Sequence, residues 1–551
     1  MTPVDHRPAT LVIVNARVWT GAGCEAEAVA VVEDTISTVG SNASVRRLIR
    51  EDTRVIDAGG RRVIPGITDS HIHIVSGGMQ LARLNLRDVG SRQEFVDAVA
   101  TAANAASSAA WILGGRWSVE SWTDPSPPRK EWLDPVTAGH PAFLSRMDGH
   151  QGLANSEALR LAGIDANGPP DPPGGIVERD PTSHEPTGIL KDAAMDLVSR
   201  HIPPTSDEDQ YQALLRAMRH LNNLGVTSVH DMSGPEDLPA MIRAHNEGAM
   251  TVRIRKLLSV NDWRPALEQV TGFPIHDAWL RVGGFKAYMD GSMGSRTAYM
   301  YRPYADAETG AEYAGGILAD QATPPKELRH MIETADRAGL QCVVHAIGDE
   351  ANHILLDAYA AVARRNGPRD RRHRIEHAQH LLPEDISRFA ELGVVASMQP
   401  YHKADDGRYA DRALGAERLA GSYAFRSLME SGALVCFGSD WPVVTCDPFA
   451  GMAAAVTART LDGRTWIPSE SISIEEALRA YTVGAARAGF AEKEVGAIEP
   501  GKLADMVILD RDILVVPADQ IDGTRAITTI VGGRVIHSIG RTLSDDAGLL
   551  K

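Results

Sequence analysis

Eight short apolar runs, each ending in a polar or charged residue, constrain this chain more than any other feature. They are VIPGITDSH (63–71), VTSVHD (226–231), VRIRKLLS (252–259), RVGGFKAYMDG (281–291), QCVVHAIGD (341–349), HRIEHAQ (373–379), VVASMQP (394–400) and LVCFGSD (434–440). Between them lie helical stretches such as KELRHMIETADRAG (326–339) and EDISRFAELG (384–393). Both close on glycine, as a helix C-terminus often does. Runs apolar throughout suit strands covered on both faces, and eight strand–helix units predict an α/β fold closed as a (β/α)8 TIM barrel.

The two ends of the chain follow a different rhythm. LVIVNARVWT, AVAVVEDTISTVG and TRVIDAGGRRVIPG alternate as strands do, and the pattern returns in DMVILDRD and AITTIVGGRVIHS. Neither end alone has enough strands to bury its apolar faces, so the two together predict one small β-sandwich. Residues 1–62 and 492–551 are assigned to it, and 63–491 to the barrel. One interval is too long for a strand–helix unit. The segment 80–215, with DPSPPRKEW and ANGPPDPPGGIV, reads as an insertion after the first barrel strand, lying over the catalytic end.

Charge and cysteine content exclude several classes of protein. Lys plus Arg is 56 against 72 Asp plus Glu, a net charge of −16, which repels nucleic acid. Four scattered cysteines do not form a disulfide scaffold. No apolar run approaches the roughly 18 residues of a spanning helix, and the first residues lack a signal-peptide pattern. A cytoplasmic protein with no membrane or nucleic-acid partner is expected.

The chemistry gathers at the ends of the runs. His71 and His73 stand two apart, a spacing that puts two imidazoles on one face of a strand. His345 ends CVVH, His377 ends RIEH and Asp440 ends VCFGSD. Singly, each is an ordinary core or loop residue. Together they occupy the rim where barrel active sites are built, and His with carboxylate is a donor set that zinc accepts.

Those motifs, with SRMDGHQGLANSEAL, GILKDAAMDLV, GVTSVHD, FKAYMDGSMGSRTA, VHAIGDEAN and GSDWPV, resemble the amidohydrolase superfamily. Within it the resemblance is to the branch that includes N-substituted formamide deformylase, over about residues 10–540. It implies hydrolysis of a non-peptide C–N bond, such as an amide or N-formyl bond, by an activated water. It also implies two zinc ions per chain, a small-molecule amide-type substrate and a possible homodimer. His71, His73 and Asp440 would hold one ion, His345 and His377 the other. Lys286 closes the fourth run, where two-metal relatives carry a carboxylated lysine. A buried ammonium is costly, and the neutral amine can take up carbon dioxide to give a bridging carbamate. A salt bridge to Asp290 or Asp440 is the competing assignment.

Asp440 and His150 are the expected catalytic residues, Asp440 moving a proton from water to the leaving nitrogen. Arg146, Asp148 and Arg296 are candidate substrate-binding groups. Trp117, Gln399, Tyr401, His402 and Trp441 are candidate pocket walls. No G-x-S-x-G elbow competes for a nucleophile's role. Two other enzyme classes fit the motifs less well. A single-metal deaminase of a heterocyclic amine would use Glu376 or Glu350 as its proton shuttle and leave Lys286 without purpose. A metal-dependent esterase or carbamate hydrolase would differ only in the pocket. A catalytically dead scaffold would have lost ligands, and none is missing here.

Overall fold

A computed structural model of the protein describes residues 8–106, 110–119, 122–124, 126–147, 149, 151–172, 175–259, 263–307 and 313–539. All eight apolar runs form strands of one parallel sheet, in chain order: β1 (Ile67–Ile72), β2 (Val226–Asp231), β3 (Arg253–Ser259), β4 (Leu280–Tyr288), β5 (Gln341–Ala346), β6 (Arg374–His377), β7 (Val395–Met398) and β8 (Val435–Phe437). The sheet closes at the C-terminal end of its strands. There Ile72 bridges Trp441 in parallel, Asp440 N–H donates to the His71 carbonyl at 2.7 Å and His73 N–H to the Trp441 carbonyl at 2.8 Å. The helices between strands are amphipathic. Pro325–Arg337 turns Leu328, Met331, Ile332 and Ala335 inward at helical spacing, and Gly339 follows it at φ +86°.

The first run is divided between two structures. Arg62–Pro65 belongs to a second sheet and only Ile67–Ile72 enters the barrel. Gly66 makes the junction possible, since a Cβ there would sit 2.2 Å from Thr227 Oγ1. The second sheet runs in the order Arg534–Ser538, Ala526–Val531, Met506–Leu509, Arg62–Pro65, Arg17–Trp19, Glu25–Ala26. A four-stranded sheet of Thr35–Gly40, Ala28–Val32, Leu11–Val14 and Arg54–Asp57 faces it. Leu11, Ile13, Val29 and Val31 share one core with Met506, Ile508 and Ile530, so both ends of the chain build the sandwich. The buried pair Arg253–Asp505, at 2.7 Å, ties it to β3.

The chain divides into two compact units: residues up to Ile74 with those from Leu215 onward, and Val75–Leu214. The second unit has its own six-stranded sheet, with Ile112–Trp117 and Ala142–Arg146 as parallel neighbours and helix Arg92–Ala105 beside it. Phe95, Trp117, Trp122, Trp132 and Leu144 form its core. Among the described residues, no helix is long and apolar enough to cross a membrane.

Candidate metal centre

The strand ends bring His71, His73, Lys286, His345, His377 and Asp440 together. Donor atoms of His71, His73 and Asp440 lie within 4.8 Å of one another, as do those of His377, His402 and Asp440. His71 Nε2 and His73 Nε2 stand 3.4 and 3.3 Å from Asp440 Oδ1. The His377 ring lies 4.9 Å from that of His71 and 4.4 Å from that of His345. Backbone geometry is bent to this end. Strand alternation would set His377 opposite Glu376, but His377 adopts φ +74°, and Asp440 φ +60°. Non-glycine residues seldom hold such angles, and they gather at functional sites.

Four of these imidazoles are fixed by the nitrogen that faces away from the centre. Glu376 is held down to about 2: burial pushes its carboxyl up, and Arg374 and His71 more than reverse this. As a carboxylate it only accepts, so His71 Nδ1–H donates to it at 2.5 Å and Nε2 keeps its lone pair. His377 Nδ1 donates to Gln399 Oε1 at 2.7 Å, and His345 Nε2 to the Gly291 carbonyl at 3.0 Å. Ser233 Oγ donates to Asp231 Oδ1 at 3.2 Å and lies 3.4 Å from His73 Nδ1, whose proton it accepts. Asp231 is itself paired with buried Lys256 at 2.5 Å. Such outer partners set the tautomer and aim of metal-binding histidines.

The electrostatics agree with that task. Burial, then the neighbouring Lys286, lowers His71 to about 4 and His345 to about 3, and burial with the neighbouring imidazoles lowers His377. All three stay neutral near pH 7, the form that binds a cation. Burial pushes the Asp440 carboxyl up, but His71, His73 and His377 hold it well below the usual range, so it is an anion. Four aimed lone pairs and one carboxylate form a donor set that fits divalent metal. Lys286 is 1% exposed, and its Nζ donates to His71 Nε2 at 3.4 Å. Among the described residues no carboxylate lies within ion-pair distance of it, so the competing salt bridge to Asp290 or Asp440 is not formed. Asp290 instead accepts backbone N–H groups of Tyr299, Ile347 and Gly348.

Asp69 joins the two strands that carry the centre. It accepts from His71 N–H at 3.1 Å, Ser439 N–H at 2.9 Å and Ser439 Oγ at 2.5 Å, while burial pushes its carboxyl up to about 7. Gly438 makes this approach possible, because a Cβ would meet His71 N at 2.4 Å.

Several expected pocket residues have other employment. Trp117 is 2% exposed in the core of the second unit, its Nε1 donating to the Leu144 carbonyl at 3.0 Å. Arg296 forms a two-pronged pair with Asp306, at 3.0 and 2.6 Å. Gln399 holds His377 rather than lining a wall. Trp441 is buried against His220, ring centroids 5.6 Å apart. Arg146 ends a strand of the second unit, half-buried and partnered. Asp148 and His150 lie outside the described residues. His402 adjoins the cluster, its Nε2 3.9 Å from Asp440 Oδ2. Tyr288 was not anticipated, although it shares the face of Lys286 two residues on; its ring stands 4.8 Å from Lys286 Nζ.

A family model described as the amidohydrolase family matches residues 54–537. The chain belongs to the amidohydrolase family. As an amidohydrolase it is a metal-dependent hydrolase. It is 37% identical to Protein LONG AFTER FAR-RED 3 of Arabidopsis thaliana, over 98% of this chain and 93% of that one. It is 28% identical to the N-substituted formamide deformylase of Arthrobacter pascens, over 95% of this chain and 97% of that one. A metal-dependent hydrolase of Pyrococcus horikoshii OT3 superposes with a TM-score of 0.76 at 26% identity, covering 92% of this amidohydrolase and 99% of its own chain. The glutamate shuttle of a single-metal deaminase has no free candidate at Glu376, which serves Arg374, Ser397 and His71. Glu350 lies in the first turn of helix Asp349–Asn366, where burial pushes its carboxyl up.

Proposed function

We propose that this amidohydrolase cleaves the C–N bond of a small non-peptide amide, an N-formyl amine being the leading class. The observation that carries this is the buried amine of Lys286, without a counter-ion among the described residues, amid four imidazoles that offer lone pairs. His71, His73 and Asp440 would hold one zinc ion and His345 and His377 a second, with Lys286, carboxylated, between them. Such ions, when bound, acidify water and polarise a carbonyl. The residues of the chain then divide the remaining work. Asp440 faces both histidine groups and, as a carboxylate, accepts the proton of the attacking water. It returns that proton to the leaving nitrogen as the C–O bond forms and the C–N bond breaks, giving an acid and an amine. In this scheme Arg146, Asp148 and His150 are assigned to substrate binding.

The test is a panel of N-formyl amines, acyl amides, cyclic amides and esters, assayed with zinc-loaded protein whose metal content is measured. Hydrolysis of an N-formyl amine at two ions per chain is expected. Turnover of esters alone, or full activity at one ion per chain, would overturn the proposal.

A further inference from the structure

His402 stands apart from the other histidines of the centre by the partner on its outer nitrogen. The outer nitrogens of His71, His345 and His377 face acceptors, which place a proton there and leave a lone pair inward. His402 Nδ1 faces the Gln379 side-chain nitrogen, a donor, at 3.3 Å. Nδ1 therefore accepts, and the proton of the neutral ring sits on Nε2. That Nε2 is buried, has no hydrogen-bond partner among the described residues, and lies 3.9 Å from Asp440 Oδ2. The ring is held parallel to His377, centroids 6.0 Å apart at 15°, on helix Pro400–Asp406, which leaves the end of β7. A buried N–H left without an acceptor is costly, so such a group in a native site points to an acceptor that arrives with a ligand.

We infer that His402 is not a metal ligand but a hydrogen-bond donor to the substrate's carbonyl oxygen. Resting on the amide-hydrolase reading above, this assigns the substrate's acceptor oxygen to the β7 side of the centre, beside Asp440. The donor is held in place and its Nε2 is buried from water, the features that make such a group effective on charge developing at an oxygen. A ligand lacking an oxygen acceptor would leave Nε2–H unsatisfied, so carbonyl and carboxylate compounds are favoured over amines and apolar molecules.

The test uses acetate as probe and needs no turnover. Zinc-loaded wild type, His402→Leu and Gln379→Glu are compared by calorimetric acetate titration and by metal content, with cobalt-loaded samples for absorption spectra. Gln379→Glu keeps the imidazole in place but puts an acceptor against Nδ1, drawing the proton away from Nε2. Both variants are expected to keep wild-type metal content and cobalt spectra while binding acetate about ten- to a hundredfold more weakly, the loss of one hydrogen bond to a charged group. A fall in metal content or an altered cobalt spectrum in His402→Leu would make His402 a ligand and overturn the assignment. Unchanged acetate affinity in either variant would overturn it as well. Failure of the amide panel is a separate result, because neither readout depends on catalysis.

Discussion

Replacing Glu376 should cost more than replacing any metal-facing histidine. Its carboxylate is fully buried, receiving Arg374 Nε at 2.7 Å and Nη2 at 3.1 Å, Ser397 Oγ at 2.7 Å and His71 Nδ1 at 2.5 Å. In Glu376→Leu the Arg374 guanidinium keeps neutral partners, the Ser70 carbonyl at 2.6 Å and His230 Nδ1 at 2.8 Å, but loses its only counter-charge among the described residues. Breaking one side of a buried pair costs about 3–5 kcal/mol. The unsatisfied Nδ1–H of His71 adds about 1–3 kcal/mol, not fully additive with the first loss. A total near 5 kcal/mol is comparable with the whole stability of many domains. Urea unfolding of the metal-free protein should register it, with Glu376→Gln, which keeps one acceptor oxygen, falling between. Zinc affinity, by competition with a chelating dye, should drop about 10–100-fold as His71 loses its orientation. The double variant Arg374→Leu/Glu376→Leu removes both charges and should recover much of the stability but none of the affinity. If metal-free Glu376→Leu unfolded at the wild-type urea concentration and bound zinc as tightly, the account of this network would be wrong.

Two further outcomes are expected. Lys286→Ala should lose metal and activity together, and acetate or bicarbonate should restore part of both; full two-ion occupancy in that variant would remove the lysine from the centre. Metal-free protein should lose stability as pH falls from about 6.5 to 4. His71 and His345 protonate at 6.5 when unfolded but only at about 4 and 3 when folded, and His377, His230 and His380 shift the same way, so the unfolded chain takes up more protons in this window. Asp69 and Asp290, raised to about 7, Asp237, raised to about 6, and Glu350, Asp406 and Asp447, also raised, act in the opposite sense; among the described residues His220, His373 and His537 are lowered too, which keeps the histidines in the majority. Urea midpoints that held steady or rose across that range would contradict the assignment of neutral buried imidazoles.

The barrel was legible because most of its strands are short, largely apolar runs that end in a residue whose type changes abruptly. The donors at those ends were legible for the same reason, since position on a closed barrel is fixed by strand order alone. What escaped was the layer behind them. Glu376 was visible only as a possible proton shuttle, because strand alternation says that it faces inward but not that Arg374 and His71 converge on it. Ser233 gave no signal, as a serine after a strand is ordinary loop composition, and Gln399 was read as a pocket wall because nothing in its spacing shows that it accepts from His377. Trp117 misled for a related reason: a tryptophan beside glycines suits a pocket wall and a core equally, and only the Phe95 and Trp132 cluster decides it. The break at Gly66 was hidden inside an unbroken apolar run, where two sheets meet without any polar residue to mark the change.

The strand Arg62–Pro65 lies between Arg17–Trp19 and Met506–Leu509, one residue before the strand that carries His71. A ribosome delivers the first of these neighbours early and the other only after more than four hundred further residues. The paired histidines therefore stand on a floor that stays unfinished during nearly all of synthesis. Mature affinity for metal should belong to the released polypeptide and not to the nascent one, with loading as a late event in the life of each molecule.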